Sequence, residues 1–294
     1  MCIRDRIHGS VCRDHLEPAT ACRVHHGVGL KSEATIYDTS NACLGILNGM
    51  LQAANMIELG QVEAALVVGT EGSRQLVETT IESLNRDQNL TRNTIKMAIA
   101  SLTIGSASCA VLLTHRSISQ TQNRIHSATT FANTEFHELC HSGKDEAAAD
   151  GMAPLMTTDS ETLMREGIRT GVKTFQRFLP TSDWSVEDID KSFCHQVGTT
   201  HRKLMLESLG IPVEKDFLTV DWLGNTGSAA LPTTLAIGLE SGFVDEKDKV
   251  ALLGIGSGIN CLMMGVEFET VPAKNVAGQP HIAIHSNSSA KTAF

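Results

Sequence analysis

The stretch Asn41-Ala42-Cys43-Leu44-Gly45 lies between two patterns of different periodicity. Residues Ala34 to Asp38 before it are typical of a short β-strand, and the apolar side chains after it recur at helical spacing as far as Gly60. Cys43 is therefore predicted at a strand-to-helix junction, in the first turn of a helix. Free backbone N–H groups and the positive end of the helix dipole favour a thiolate there, which is the nucleophilic form of cysteine. Taken alone, the residue also fits a small buried structural cysteine.

Composition indicates an ordinary globular protein. The 294 residues are 41% hydrophobic and 19% charged, which predicts a large buried core. A formal net charge of -9, with no run of Lys or Arg, argues against nucleic acid and anionic membranes as partners. No apolar run approaches the length of a membrane-spanning helix. The eight cysteines are scattered without a C-x-x-C pair, which favours reduced thiols and a cytoplasmic location.

One local order of elements occurs twice. Residues 34–69 and residues 216–254 each read as strand, turn with an Asn, helix, Gly, strand and Gly. Each block is followed by a Gly/Ser turn and a further strand, so a βαββ unit is used twice, which indicates internal duplication. Strands that alternate with helices predict an α/β fold with mainly parallel sheets and helices on both faces. Residues 1–10 show no strand pattern, and 216–220 are predicted as a strand.

A polar interval from His141 to about Gly151 is taken as the boundary between the two halves. The predicted division is an N-terminal half over 1–150 that carries the nucleophile and a C-terminal half over 151–268. Residues 269–294 lose the apolar pattern and are expected to form a loose tail.

Two downstream motifs change the interpretation of Cys43. They are Cys194-His195-Gln196-Val197-Gly198, at the end of a short strand, and Gly224-Asn225-Thr226-Gly227-Ser228, in a glycine-flanked turn. A thiol that attacks a carbonyl, a His that moves or stabilises charge and an Asn amide that holds an oxyanion together suit acyl transfer. These residue types do not separate transfer to carbon from transfer to water, and a cysteine hydrolase of the papain type uses the same three.

These blocks resemble the signature motifs of ketoacyl-ACP synthase III in the thiolase superfamily. The resemblance rests on Asp38 to Gly45, His195-Gln196, Gly224 to Pro232 and the late glycine loop Gly254-Ile255-Gly256-Ser257-Gly258, which occur in the family's order between about Val11 and Phe268. The flanking residues, such as Leu16 to Ala21, look closest to enzymes that join two long acyl-CoAs head to head in olefin biosynthesis.

The resemblance implies a role for each site residue. Cys43 would carry the acyl group as a thioester, while His195 and Asn225 would hydrogen-bond the thioester oxygen of the second substrate and stabilise its enolate. The backbone N–H groups of Cys43 and Ser257 would form the oxyanion hole. Glu17 resembles an acidic residue that reaches the partner subunit's site as a general base. Its alternative is a first-turn Glu that stabilises a helix N-terminus.

The resemblance also implies fold, partners and reaction. The expected fold is the thiolase-like duplicated βαβαβαββ fold with an incomplete first half, because the family has an opening βαβ portion before the block of Glu17. The expected assembly is a homodimer that pairs the strand at 34–38 across its two-fold axis. The expected reaction is a Claisen condensation of acyl thioesters through acyl-Cys43, with acyl-CoA or acyl carrier protein as carrier and no further cofactor. The alternatives are initiation of fatty acid synthesis from malonyl carrier protein and an inactive fragment.

Two local features bear on carrier and metal. In synthase III a basic residue on the helix after His-Gln helps to dock the carrier protein, and Thr200 stands at that position, with Arg202 and Lys203 close by. His137-Glu138-Leu139-Cys140-His141 satisfies the H-E-x-x-H zinc pattern, but Ser142-Gly143 interrupts the helix that such a site needs. No metal is therefore predicted.

Overall fold

The computed structural model describes residues 5–13, 15, 17–142 and 155–272. The strands are β1 (Asp5–Gly9), β2 (Thr35–Thr39), β3 (Ala64–Glu71), β4 (Ala107–Thr114), β5 (Arg124–Ala132), β6 (Cys140–Ser142), β7 (Met156–Thr158), β8 (Lys191–Cys194), β9 (Lys249–Gly256) and β10 (Asn260–Glu267). The α-helices are α1 (Thr20–Val28), α2 (Gly45–Glu58), α3 (Arg74–Arg86), α4 (Arg92–Leu102), α5 (Ser160–Ser182), α6 (Thr199–Leu209), α7 (Val220–Leu223) and α8 (Ala230–Glu240). Short 3₁₀ turns cover Thr134–Leu139, Val213–Lys215 and Gly227–Ala229.

Two four-stranded sheets form the framework. The first has the order β2-β1-β3-β4 and the second β5-β10-β9-β8, while β6 and β7 pair separately. In the first sheet β1 is parallel to β2 and β3, and in the second β8 is parallel to β9. The pairs β3–β4, β9–β10 and β10–β5 are antiparallel. The expectation of mainly parallel sheets holds for the first sheet, where two of the three pairs are parallel, but is wrong for the second, because β10 pairs antiparallel with both β9 and β5.

The two sheets repeat one arrangement, and the two later strands of the predicted βαββ unit correspond in both halves, whereas its first strand has no counterpart at 216–220. Strands β1, β3 and β4 follow one another in the first sheet in the order and relative directions that β8, β9 and β10 have in the second. The mixed α/β architecture is that of the predicted thiolase-like fold.

Helix α2 lies in the apolar space that both sheets share. A side chain at Gly49 would meet Val67 of β3 and Ile7 of β1, while one at Gly254 of β9 would meet Leu47. Small residues at these positions let the helix contact each sheet closely. The same buried cluster contains Ile7, Leu44, Ile46, Leu47, Met50, Val67, Phe193, Leu231, Leu252, Leu262 and Met264. The nucleophile segment is thus attached to the most deeply buried helix of the fold.

The outer face of the second sheet is also apolar. Along β9, Leu252 joins the shared core, whereas Ala251 and Leu253 point to a second cluster, as the period of two along a strand requires. Helices α5 and α6 cover this face with Phe175, Phe178, Met205, Leu206 and Leu209. The amphipathic pattern predicted for residues 162–179 corresponds to α5.

Two predicted segments differ from the structure. Residues 1–10 were expected to contain no strand, yet β1 is central in its sheet; Arg6 and His8 break the apolar pattern of that strand but are buried. Residues 216–220 were expected to form a strand, but only a single bridge joins Asp216 to Ser192, and α7 begins at Val220. The Asp216 carboxyl group accepts the Cys194 N–H at 2.9 Å, so a side chain replaces part of the strand ladder.

One strand pair crosses the predicted boundary between the two halves. Strand β5 pairs with β10, so the second sheet includes a strand that precedes the predicted division at residue 150. Residues 143–154, where the boundary was placed, and 273–294 of the expected tail lie outside the described residues. Across the parts of the chain that are described, no helix has the length and apolar character needed to cross a membrane.

Candidate active site

Cys43 lies in the turn between β2 and α2. The helix begins at Gly45, so the cysteine precedes the first turn rather than lying in it as predicted. Ala42 adopts a left-handed conformation with φ 44°, which an L residue adopts at a cost and which is typical of functional turns. This sharp turn leaves Cys43 partly exposed while the next residue, Leu44, is buried in the core.

The thiol of Cys43 does not rest as a thiolate, contrary to the prediction from the helix dipole. Burial, the negative charge of Glu71 and the Cys140 thiol raise the pKa of Cys43 to about 12. Loss of water around the sulfur outweighs the effect of the helix N-terminus, because the dipole contributes only a fraction of a unit charge. At neutral pH the free site therefore holds a thiol.

The late glycine loop reaches the nucleophile. A Cβ atom at Gly256, the last residue of β9, would lie 3.3 Å from the backbone N of Cys43. Only a residue without a side chain lets the strand end approach that N–H group without displacing its neighbours. Ser257, predicted to supply the second N–H of the oxyanion hole, follows directly.

A chain of side-chain amides ties the two loops together. Asn41 Nδ2 donates to Asn48 Oδ1 at 2.7 Å, and Asn260 Nδ2 donates to Asn41 Oδ1 at 3.3 Å. Asn260 Nδ2 also lies 3.1 Å from the carbonyl oxygen of Ser257. The contacts of Asn48 and Asn260 with Asn41 have no signal in the sequence, because only the tertiary structure brings these residues to the nucleophile segment. A cavity of about 430 Å³ opens beside these amides, with Leu44, Phe131 and Arg177 in its wall.

His195 follows β8 and is 3% exposed. Its backbone N–H donates to the Leu253 carbonyl oxygen at 3.1 Å, which extends the pairing of β8 with β9. Burial, with a further contribution from His201, lowers the pKa of His195 to about 3. The imidazole is therefore neutral at physiological pH and is suited to donate or accept a hydrogen bond rather than to carry charge.

Gln196, the residue after it, fixes this segment. Its Nε2 donates to the Cys194 carbonyl oxygen at 2.8 Å, and its Oε1 accepts the N–H groups of Thr219 at 2.9 Å and Val220 at 3.1 Å. The glutamine thus holds the end of β8 against the segment that leads to Asn225.

Asn225 is held by a strand-like bridge to the first half. Its backbone N–H donates to the Thr103 carbonyl oxygen at 3.0 Å and its carbonyl oxygen accepts the Gly105 N–H at 2.8 Å. Within the turn, Asn225 Oδ1 accepts the Gly227 N–H at 3.0 Å. Nδ2 has no hydrogen-bond partner among the residues that the structure describes, so it is available as a donor to a bound oxygen.

The remaining predicted groups are placed differently. Glu17 is exposed in the loop before α1. Arg202 is mostly buried and its Nε donates to Asp216 at 2.6 Å, while Lys203 lies 3.8 Å from Glu207. Arg202 is thus held in a largely buried ion pair.

The H-E-x-x-H pattern does not form one helical face. His137 and Glu138 lie in the 3₁₀ turn Thr134–Leu139, whereas His141 lies in β6. Within the described ranges, no group of three or more His, Cys, Asp or Glu side chains is arranged to hold a metal ion.

Comparison with known proteins identifies the family. A model of 3-oxoacyl-[acyl-carrier-protein] synthase III matches residues 37–133, and a model of the C-terminal part of that synthase matches residues 179–268. An acyl-CoA:acyl-CoA alkyltransferase of Shewanella oneidensis is 42% identical over 265 residues, which are 89% of this chain and 75% of that protein. The chain belongs to this synthase III family of the thiolase superfamily. It is an acyltransferase of the 3-oxoacyl synthase type, which forms a carbon–carbon bond by Claisen condensation of acyl thioesters.

Further relatives agree with this assignment. An acyl-CoA:acyl-CoA alkyltransferase of Xanthomonas campestris is 34% identical over 260 residues, which cover 88% of this chain and 74% of that protein. A crystal structure of Xanthomonas campestris OleA with bound lauric acid and lauroyl-CoA is similar with a TM-score of 0.84, at 33% identity over 91% of this chain and 76% of the other. The cerulenin-bound form of OleA has a TM-score of 0.85 at 34% identity, over 91% of this chain and 75% of the other. The synthase III resemblance and the thiolase-like fold are confirmed.

Proposed function

We propose that this enzyme condenses two acyl-CoA molecules head to head, through an acyl group carried on Cys43. The observation that carries the proposal is that the end of β9 lies close to the nucleophile. A Cβ atom placed on Gly256 would be 3.3 Å from the backbone N of Cys43. The proposal places the N–H groups of Cys43 and Ser257 beside the sulfur, where acyl transfer needs donors to the oxyanion. The relatives named acyl-CoA:acyl-CoA alkyltransferase and the lauroyl-CoA complex of OleA support CoA as the carrier.

The first half-reaction loads the cysteine. The Cys43 sulfur attacks the thioester carbon, and the oxyanion accepts hydrogen bonds from the N–H groups of Cys43 and Ser257. The C–S bond to CoA then breaks, and the thiol proton of Cys43 leaves with CoA as its thiol.

The second half-reaction forms the carbon–carbon bond. Glu17 of one protomer removes an α-proton from the second acyl-CoA in the other protomer, and the enolate oxygen accepts hydrogen bonds from neutral His195 and from Asn225 Nδ2. The enolate carbon attacks the acyl-Cys43 carbonyl, the Cys43 thiolate leaves, and the proton held by Glu17 returns to it.

Solved structures of Xanthomonas campestris OleA include variants at three residue types that this proposal also uses. They include replacements of a cysteine, a glutamate and a histidine in that protein. The glutamate and the cysteine lie as far apart along that chain as Glu17 and Cys43 lie here.

Partners follow from the same proposal. Use of Glu17 across protomers requires a homodimer, in which the exposed edge of β2 pairs with its mate. The engagement of Arg202 with Asp216 favours CoA over acyl carrier protein. The scattered thiols favour the cytoplasm.

Acylation is the first test. After incubation with lauroyl-CoA, intact mass and peptide mapping should find one acyl adduct on Cys43, absent in Cys43→Ala and retained in Cys109→Ala as the matched control. An adduct on Cys109 or Cys194 would contradict the assignment. Free acid without ketoacyl product would favour the cysteine hydrolase instead.

Glu17→Gln is the test of the base. It should still form acyl-Cys43 but lose about 10² to 10⁴ in the rate of ketoacyl formation, because a general base contributes that much. Glu33→Gln, at another exposed position just before β2, is the control. Unchanged condensation in Glu17→Gln would leave Glu17 as a helix-end residue and favour malonyl substrates, whose decarboxylation generates the carbanion.

A further inference from the structure

A buried glutamate at the end of β3 joins several parts of the site. Glu71 is 5% exposed, and its Oε1 accepts the Val11 N–H at 3.0 Å while its Oε2 accepts the Cys12 N–H at 3.1 Å. Oε1 also accepts the Ser228 N–H at 3.2 Å and lies 2.6 Å from the Ser228 hydroxyl. A buried carboxyl group keeps such a position only when donors satisfy its oxygens, and here they come from two distant segments.

The segments that meet at Glu71 are those of the proposed chemistry. Val11 and Cys12 lie in the loop that leads from β1 towards Glu17. Ser228 follows the Asn225 turn by three residues. The negative charge of Glu71 also acts on the nucleophile, because it contributes to the raised pKa of Cys43.

The contact with the Asn225 turn is close enough to set its shape. A Cβ atom at Gly227 would lie 3.1 Å from Glu71 Cδ, so the glycine allows the turn to pack directly on the carboxyl group. The Gly227 N–H donates to Asn225 Oδ1 at 3.0 Å, which fixes the orientation of the Asn225 side chain. A shift of Ser228 or Gly227 would therefore rotate the Asn225 amide away from a bound thioester oxygen.

We propose that Glu71 is a positioning residue for condensation: by holding Ser228 and the Gly227 turn, it aims the Asn225 amide at the enolate oxygen. This inference rests on the proposed function, since it assigns Glu71 to the second half-reaction. Loading of Cys43 depends on other groups, namely the N–H groups of Cys43 and Ser257, and does not require the Asn225 amide.

Glu71→Gln tests the proposal with little change of shape. One carboxyl oxygen becomes an NH₂ group, which faces either the Cys12 N–H in place of Oε2 or the Val11 and Ser228 N–H groups in place of Oε1. In both orientations the hydrogen bonds of Ser228 lose their charged acceptor, so the turn loses part of its support. Acylation of Cys43 by lauroyl-CoA, measured by intact mass, should stay within about threefold of the unaltered protein. Ketoacyl formation per acylated enzyme should fall about 10- to 100-fold, as expected for a misplaced catalytic group. Glu78→Gln, on the exposed face of α3, is the matched control.

A second readout separates positioning from general loosening of the fold. Removal of the Glu71 charge favours the thiolate, so the midpoint of Cys43 alkylation by iodoacetamide against pH should move to lower pH in Glu71→Gln. Burial and Cys140 remain and keep the midpoint above that of a free thiol. A purely structural glutamate would shift the midpoint in the same direction through its charge, but it would leave the ratio of the two half-reactions unchanged.

The outcomes are distinct. Selective loss of condensation with a lower alkylation midpoint supports the proposal. Unchanged condensation, or equal loss of acylation and condensation in a variant with an unchanged melting temperature, overturns it. If Glu71→Gln does not fold, Ser228→Ala replaces it; that variant keeps the Ser228 N–H, and the same selective loss is expected. Failure of the unaltered protein to acylate Cys43 would refute the proposed function rather than the role of Glu71.

Discussion

Each half of the molecule buries an arginine against its sheet, and the two arginines differ in how many of their N–H groups have hydrogen-bond partners. Arg202, beside β8, is 14% exposed; its Nε donates to Asp216 at 2.6 Å and its Nη2 to the Val213 carbonyl oxygen at 2.9 Å. Arg6, in β1, is fully buried and donates to the Ala21 carbonyl oxygen, while its Nε and Nη2 have no partner among the described residues. Burial lowers the pKa of Arg6 to about 10.

The difference between the two arginines shows that the duplicated fold constrains the inner faces of the sheets more than their outer faces. The interior shared by both sheets is apolar on either side, because α2 must pack against both. The outer faces are not equivalent: α5 and α6 cover the second sheet with apolar side chains, whereas α1 covers Arg6 and His8. The same topology is thus compatible with an apolar outer face on one sheet and with Arg6 and His8 on the outer face of the other, and we expect the two halves to respond in opposite ways to the same substitution.

The largest effect on stability is expected for Arg202→Met. It removes the cation and leaves the buried Asp216 carboxyl group without its partner, which costs about 3–5 kcal/mol of unfolding free energy. Urea unfolding monitored by circular dichroism measures the loss. Lys203→Met, at the exposed neighbouring position, should change stability by less than about 1 kcal/mol. The double variant Arg202→Met/Asp216→Asn should recover part of the loss, and no recovery would show that the pair is not the cause.

Asn41 and Asn225, the turn asparagines of the two halves, should affect different half-reactions when they are replaced. Asn225→Ala should retain acyl-Cys43 and lower ketoacyl formation about 10²- to 10³-fold, because it removes one donor to the enolate oxygen. Asn41→Ala should lower both half-reactions by similar factors, since it breaks the amide chain between the Cys43 and Ser257 loops. Single-turnover measurements with lauroyl-CoA distinguish the two patterns. Equal effects of both variants on acylation would contradict the assigned roles.

Arg6→Met should have the sign opposite to Arg202→Met. Replacing a buried and incompletely paired charge by an apolar side chain of similar length is expected to stabilise the protein by about 1–2 kcal/mol. Thermal unfolding should show a higher midpoint. A destabilisation comparable to that of Arg202→Met would mean that the polar outer face of the first sheet is better satisfied than its hydrogen bonds indicate.

Sensitivity of stability to acid is a further expected difference between the halves. Burial lowers the pKa of His195, to about 3, and those of His201 and His8. An unfolded histidine takes up its proton near pH 6.5, so the unfolded chain binds more protons than the folded one below that pH. Stability is therefore complete above about pH 6.5 and declines as the pH falls towards 3, by about 1 kcal/mol per pH unit for His195.

Melting temperatures between pH 7.5 and 5 measure this decline. His195→Gln should flatten the decline more than His8→Gln, while His137→Gln at an exposed position serves as the control. An unchanged slope in His195→Gln would contradict a neutral buried imidazole.

Much of the fold and the order of the site residues could be read from local pattern. Helical spacing and glycine stops predicted α2, α6 and α8 to within a residue or two, because periodicity and caps are local properties of the chain. The repeated order of elements revealed the duplication, and three ordered motifs pointed to Cys43, His195 and Asn225. The family follows from the same residues, since motif order is preserved in sequence.

Only the tertiary structure decided the rest. Strand β1 carries Arg6 and His8 and looks polar along the chain, yet α1 buries it. The helix dipole predicted a thiolate at Cys43, but burial and the charge of Glu71 raise its pKa to about 12. Neither β5, which completes the second sheet, nor Glu71, which joins Val11 to Ser228, has a local signal. Desolvation and pairing depend on which distant groups meet, and that information lies in the packing of the whole chain rather than in any short segment.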